Sequence, residues 1–247
     1  MFIQQTPEGV ERLVTSASDL TAASACEFAF LRRVDARLGR DVVVPADDDP
    51  MLARAGALGD EHERRVLAQL REQLGEGSPG EPGGVVEIPR PLSMDPEALT
   101  DVAEQTVVAL QGKANVVFQA TFFDPAQREG NAADGGPEPV IGFIGFADFL
   151  ELQPDGSYEG QDSKLARRAR VTALMQLAAY AEQLERLGIP VSPEATLILG
   201  DGARSVHKIA DIAPVFRSRR ARLHELLLER YAAVGPDGHR ETAPAVT

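Results

Sequence analysis

The chain contains no tryptophan, one cysteine and only three tyrosines among its 247 residues. With Cys26 alone no intrachain disulfide can form, so the disulfide-stapled folds of small secreted proteins are excluded. No apolar run approaches the ~20 residues that a membrane-crossing helix needs. The opening "MFIQQTPEG" lacks a basic stretch followed by an apolar one, so no signal peptide is read and a cytoplasmic location is expected. Positive charge is scarce too: 25 Lys and Arg stand against 38 Asp and Glu, a formal net charge of -13. A protein coated in basic surface is thereby excluded, and any nucleic-acid contact must come from a local patch. No internal repeat is present.

What is there suffices for a core, since 43% of the residues are hydrophobic. Stretches rich in Gly, Pro or Asp read as loops at 41–50, 75–84 and 124–139, with a tail from Gly235. Between them the patterning predicts a helix from about Asp19 with Ser18 as its cap, a second over 52–74 and a third over 96–110. Strands are predicted at 85–88, 116–123, 140–152, 157–164, 195–200 and 205–210, and further helices at 171–187 and 214–231. The expected fold is α/β, a mixed sheet flanked by helices and preceded by a helical N-terminal region. A single domain over 1–247 is expected, with a helical part over 1–75, a core over 85–234 and a tail over 235–247.

Chemistry enters where two neighbouring strands each carry a carboxylate. In "GFADFLEL" the alternation sets Phe146, Asp148 and Leu150 against Ala147, Phe149 and Glu151, leaving one acid among apolar neighbours. On the next strand Asp162 and Lys164 share a face. The turn "QPDGS" (153–157) makes the two strands antiparallel, with Asp148 five residues before it and Asp162 five after. The carboxylates then sit nearly opposite one another, where like charges repel unless a cation lies between them. Hard oxygen ligands with open positions suit magnesium or manganese. Lys164 can then orient an attacking water or stabilise charge at phosphorus. Against this stands a plain structural ion pair between Asp148 and Lys164.

Two further elements bear on the site. His62, in "LGDEHERRVLAQL", lies four residues after Leu58 and four before Val66, on the apolar side of its helix, where a histidine can simply be a satisfied core residue. Gln176 and Tyr180, four apart, lie on a helix face adjoining the packing stripe of Leu174, Leu177, Ala181 and Leu184, where a half-buried flank would look the same.

Taken in order, "SASDL" (16–20), "GDEHE" (59–63), "FQATFFD" (118–124), "ADFL" (147–150), "DSKLAR" (162–167) and "QLAAY" (176–180) resemble the RecB-like branch of the PD-(D/E)xK nuclease superfamily. The likeness spans about Ser16 to Leu223. It implies a restriction-endonuclease-like core, with His62, Asp148, Asp162 and the carbonyl of Ser163 as ligands of Mg2+ or Mn2+. It also implies Lys164 as the catalytic lysine, and Gln176 and Tyr180 as residues that position the nucleic-acid strand and the active site. Asp162 stands where many relatives carry Glu. Relatives with an iron–sulfur cluster carry one cysteine ahead of the core and three after it; Cys26 sits where the first belongs and no other follows. Since a cluster takes about four thiolates, no cluster is expected; Cys26 is either an orphaned ligand by this likeness or a small hydrophobe packed on the N-terminal helix. Such relatives are often one part of a longer polypeptide with a helicase or a second nuclease domain.

Arg167, Arg168 and Arg170 begin the next helix, where they can hold the other phosphates of a bound strand; a solvated helix start is the plain alternative. The resulting expectation is a metal-dependent deoxyribonuclease, acting in DNA repair or processing, with single-stranded DNA as its expected partner. The alternative is a nuclease-fold module without catalysis that binds nucleic acid or scaffolds a helicase.

Overall fold

Ser16 ends one strand and begins one helix, and its hydrogen bonds show why the chain turns there. Its Oγ accepts from the backbone of Asp19 at 3.2 Å, while the Asp19 carboxylate accepts from the Ser16 amide at 2.9 Å. This reciprocal pair needs an acid three residues after the cap. Ser16 has one in Asp19 and Ser18 does not, so the helix starts two residues earlier than expected. The computed structural model describes residues 1–5, 11–44, 50–128 and 139–232. The expected tail over 235–247 lies outside them.

The chain forms two compact units. One takes in the described residues of Met1–Asp47, Asp124–Ile144 and Val215–Thr247, the other Asp48–Phe123 and Gly145–Pro214. In the first unit β1 (Phe2–Gln5) runs antiparallel to β2 (Glu11–Ser16), and β2 runs parallel to the start of β5 (Val140–Leu152), with Leu13 opposite Ile141. α1 (Ala17–Ala25) and α2 (Glu27–Arg37) follow, separated by Cys26 in an extended conformation. The N-terminal region is therefore not wholly helical. The two strands escaped notice because they are short, and the partner that orders β2 lies more than a hundred residues along the chain. Cys26 is exposed rather than packed against the helix.

The second unit holds α3 (Pro50–Leu74), β3 (Val85–Glu87), α4 (Pro96–Gln111), the body of β4 (Val116–Arg128), the end of β5, β6 (Tyr158–Lys164), α5 (Val171–Arg186), β7 (Glu194–Leu199) and β8 (Arg204–Lys208). α6 (Ile209–Ala232) starts here and carries Pro214 inside it; its expected start at Pro214 placed the proline in the first turn, five residues too late. β3 pairs parallel with β4, β5 antiparallel with β6, β6 parallel with β7 and β7 antiparallel with β8. Alternation along β7 sends its side chains to two helices. Ile198 joins Val85, Val116, Phe118 and Phe149 against Leu67 of α3, while Leu197 and Leu199 meet Ala173 and Leu177 of α5. The fold is thus α/β, a mixed sheet flanked by helices. No described helix is long and apolar enough to cross a membrane.

Candidate active site

The β5–β6 turn closes as its sequence predicts: Gly156 takes a positive φ of 85°, and the Gln153 amide donates to the Ser157 carbonyl at 2.8 Å. From that turn the ladder runs to Phe149 opposite Gln161. The ladder ends there, with Asp148 and Asp162 each one residue beyond it and the Ser163 amide turned to the Asp148 side chain. Beside them β6 pairs Asp162 with Leu197, so Asp162 faces the side of the sheet that carries α5.

Asp162 is buried, with 3% of its surface exposed. Lys164 Nζ lies 2.8 Å from each of its carboxylate oxygens, with hydrogen-bond geometry to Oδ1. Oδ2 is buried and has that ammonium as its ion-pair partner, without a directed hydrogen bond. Asp148 Oδ2 accepts the Ser163 amide at 2.8 Å and the Ser163 hydroxyl at 3.3 Å. Burial, reinforced by the charge of Asp148 and opposed by Lys164, holds Asp162 well above the usual carboxylate range. Burial by itself lowers the Lys164 ammonium, but Asp162, Asp148 and Glu63 outweigh it and hold it above its ordinary value. Asp162 beside the like charge of Asp148 gives two hard oxygen donors, the type a divalent cation takes.

Tyr180 is buried and donates its hydroxyl to the Phe146 carbonyl at 2.8 Å, with its ring stacked on Phe122. Burial and the two aspartates push that hydroxyl far up. Tyr180 thus ties α5 to the backbone of β5 two residues before Asp148. Gln176, one turn earlier on α5, is half-buried and its side chain makes no hydrogen bond within the described protein. Arg167, Arg168 and Arg170 lie between β6 and α5, exposed and without an ion-pair partner among the described residues.

His62 does not join the aspartates. It is buried on α3 with Nε2 3.5 Å from the Ile198 carbonyl, and it borders a pocket of about 460 Å³ lined also by Arg65, Gln69, Gln73 and Arg204. Its neighbour Glu63 points elsewhere, since consecutive helical residues point about 100° apart, and its carboxylate accepts from the Gln119 amide. Glu63 shares a stripe with Leu67 and Leu70, four and seven residues on, whereas His62 lines up with Val66 and Gln69. Among the described residues no three His, Cys, Asp or Glu side chains gather as a metal-ligating group. The expected set of His62, Asp148 and Asp162 is therefore assembled only in its two aspartates.

Glu63 and its hydrogen-bond partner Gln119 were missed by the sequence reading. Glu63 left a usable signal, an acid in an apolar stripe, by the same logic that picked out Asp148. Burial and then the charge of Asp148 push its carboxyl up to about 7, against the Gln119 hydrogen bond and Arg90. Gln119 left none.

No protein-family model matches the chain, and no curated protein matches it. Among solved structures it aligns with one titled "Crystal structure of SSO0001", over 85% of this chain and 75% of that one, at 12% identity and a TM-score of 0.36. A likeness that weak carries no function across, and the α/β assignment stands on the strands and helices described above.

Proposed function

We propose that the protein is a metal-dependent nuclease that hydrolyses phosphodiester bonds of DNA, in repair or processing, with Asp148 and Asp162 holding Mg2+ or Mn2+. The observation that carries this is the convergence of the two carboxylates at the β5–β6 ladder end, with Asp162 buried and the Lys164 ammonium against it. The ordered resemblance to the RecB-like nucleases supports it. A bound divalent ion supplies charge neutralisation at phosphorus and a more acidic water.

The chain's own groups divide the remaining work. Ser163 fixes the orientation of the Asp148 carboxylate through its amide. The Lys164 ammonium stands where negative charge builds as the water oxygen bonds to phosphorus and the opposite P–O bond breaks, its electron pair leaving with the departing oxygen, which then takes a proton. The three exposed arginines after β6 offer unpaired guanidinium groups to neighbouring phosphates. Gln176 has amide groups free for a base or sugar.

Labelled single-stranded and duplex DNA, with matched RNA, incubated with magnesium, manganese or chelator test the proposal. Cleavage that needs the metal and vanishes in Asp162→Ala and Lys164→Ala is expected. Binding without cleavage by the wild type would favour a non-catalytic module, and cleavage surviving in Asp162→Ala would overturn the assignment of the site.

A further inference from the structure

The cavity beside His62 takes no part in the proposed hydrolysis. It holds about 460 Å³ between α3 and the β7–β8 turn, on the side of the sheet where Ile198 packs with Leu67 and so across the sheet from Asp162. Its α3 wall is one stripe: His62, Arg65, Gln69 and Gln73 recur every three or four residues over about 16 Å of helix. Arg204 faces them from β8, opposite Ile198 in register.

This lining offers hydrogen-bond donors. Arg65, Gln69 and Gln73 are exposed and have no hydrogen-bond or ion-pair partner among the described residues. Arg204 pairs with Glu151 at 3.6 Å and keeps 50% of its side chain exposed. The acid in the lining, Asp201, is drawn into its own turn, where its carboxylate accepts the Ala203 amide at 3.1 Å. His62 supplies floor rather than a contact, since its Nε2 faces the Ile198 carbonyl. Guanidinium and amide N–H groups suit phosphate oxygens. In a chain of net charge -13, two arginines converging on one cavity are the local basic patch that a polyanion needs. No Phe, Tyr or Trp lines it, so it offers bases nothing to stack on and favours the backbone of a strand.

The cavity is joined to the segment that follows Lys164. β7 sets Leu199 opposite Lys164, and the Gly200 amide donates to the Ala166 carbonyl at 3.3 Å. At Gly200 the two backbones leave no room for a Cβ beside the Leu165 carbonyl. A strand held at Lys164 has only the end of β7 to cross, and neighbouring strands lie about 5 Å apart.

We propose that this cavity holds backbone phosphates of the nucleic-acid strand beyond the bond that is cut, with Arg65 and Arg204 gripping them from α3 and β8. This rests on the proposed nuclease reading, so its test measures binding in chelator and does not depend on cleavage.

Fluorescence anisotropy of labelled single-stranded DNA across a salt series compares Arg65→Gln with Arg64→Gln. The two arginines are consecutive on α3, both exposed and about 100° apart, and only Arg65 lines the cavity. Arg65→Gln should flatten the slope of log affinity against log salt by about 0.7, one phosphate contact, and the double variant Arg65→Gln/Arg204→Gln by about 1.4. Arg64→Gln should leave it unchanged. Equal effects at the two positions would overturn the inference, because general attraction of positive charge then explains both. A wild-type slope in Arg65→Gln, or a wild type that binds no strand in chelator, overturns it as well. Calorimetry with a mononucleotide separates the sources of phosphate: binding at one per chain that Arg65→Gln removes, with strand affinity unmoved, would give the cavity to a free phosphate monoester and end the strand assignment. Wild-type protein that grips the strand through Arg65 but cuts nothing with magnesium or manganese overturns the proposed nuclease and leaves this cavity's assignment standing.

Discussion

The Tyr180 hydroxyl donates to the carbonyl of Phe146, two residues before Asp148, and so ties α5 to the strand that carries the first carboxylate. Tyr180→Phe keeps the ring against Phe122 and removes that one bond. It should lower stability by about 1 kcal/mol, the net worth of a typical buried hydrogen bond, and lower kcat as Asp148 loses its fixed backbone. Urea denaturation and steady-state kinetics read the two effects. Loss of stability with unchanged kcat would show that Tyr180 only packs.

Asp162 should weaken the metal-free protein at neutral pH. Its carboxyl titrates above the unfolded value, so the folded state retains a proton that the unfolded chain loses first. The stability tied to that proton is complete below the ordinary carboxylate value of about 4 and is lost as pH rises through the raised one. Asp162→Asn should therefore melt higher than wild type at pH 7 in chelator, with the gain shrinking toward pH 4. Adding manganese should raise the melting temperature of the wild type and leave the variant unmoved.

Lys164→Ala separates chemistry from metal binding. Its ammonium occupies Asp162 in the metal-free protein, so removal should leave manganese affinity undiminished while cleavage disappears. Calorimetry alongside the cleavage assay decides it. A variant that loses metal as fully as Asp148→Ala would make Lys164 part of the metal's support.

Arg167, Arg168 and Arg170 offer three phosphate contacts. Replacing all three with glutamine should flatten the slope of log affinity against log salt for single-stranded DNA by about 2, three contacts at ~0.7 each. Fluorescence anisotropy across a salt series measures the slope. An unchanged slope would place the strand elsewhere.

Cys26, exposed between α1 and α2, should react at once with a thiol reagent in the folded protein, one equivalent per chain, and Cys26→Ser should leave the melting temperature within a degree or so of the wild type, as is usual for exposed substitutions. Slow reaction that waits on unfolding would contradict its exposure.

Most of the second unit was legible because its signals are local. A strand period of two places Asp162 and Lys164 on one face, and the turn at Gly156 sets the count that brings Asp148 opposite Asp162. The register follows from those distances along the chain, and it holds as far as Phe149 opposite Gln161, one residue short of the two aspartates. The breaks in the reading fall where a partner is remote: β2 takes its order from β5, and the start of α1 hung on which serine had its acid three residues on.

The sequence by itself determined the α/β class, the β5–β6 hairpin and the pairing of two carboxylates with a lysine, because periodicity and turn chemistry act over a few residues. Tertiary structure alone decided where the neighbouring side chains of α3 point. Packing of Leu67 and Leu70 on the sheet sets the rotation of that helix, and the rotation brings Glu63 to the Gln119 amide and leaves His62 against the Ile198 carbonyl. The Glu63–Gln119 contact joins residues 56 positions apart, beyond the reach of a local signal.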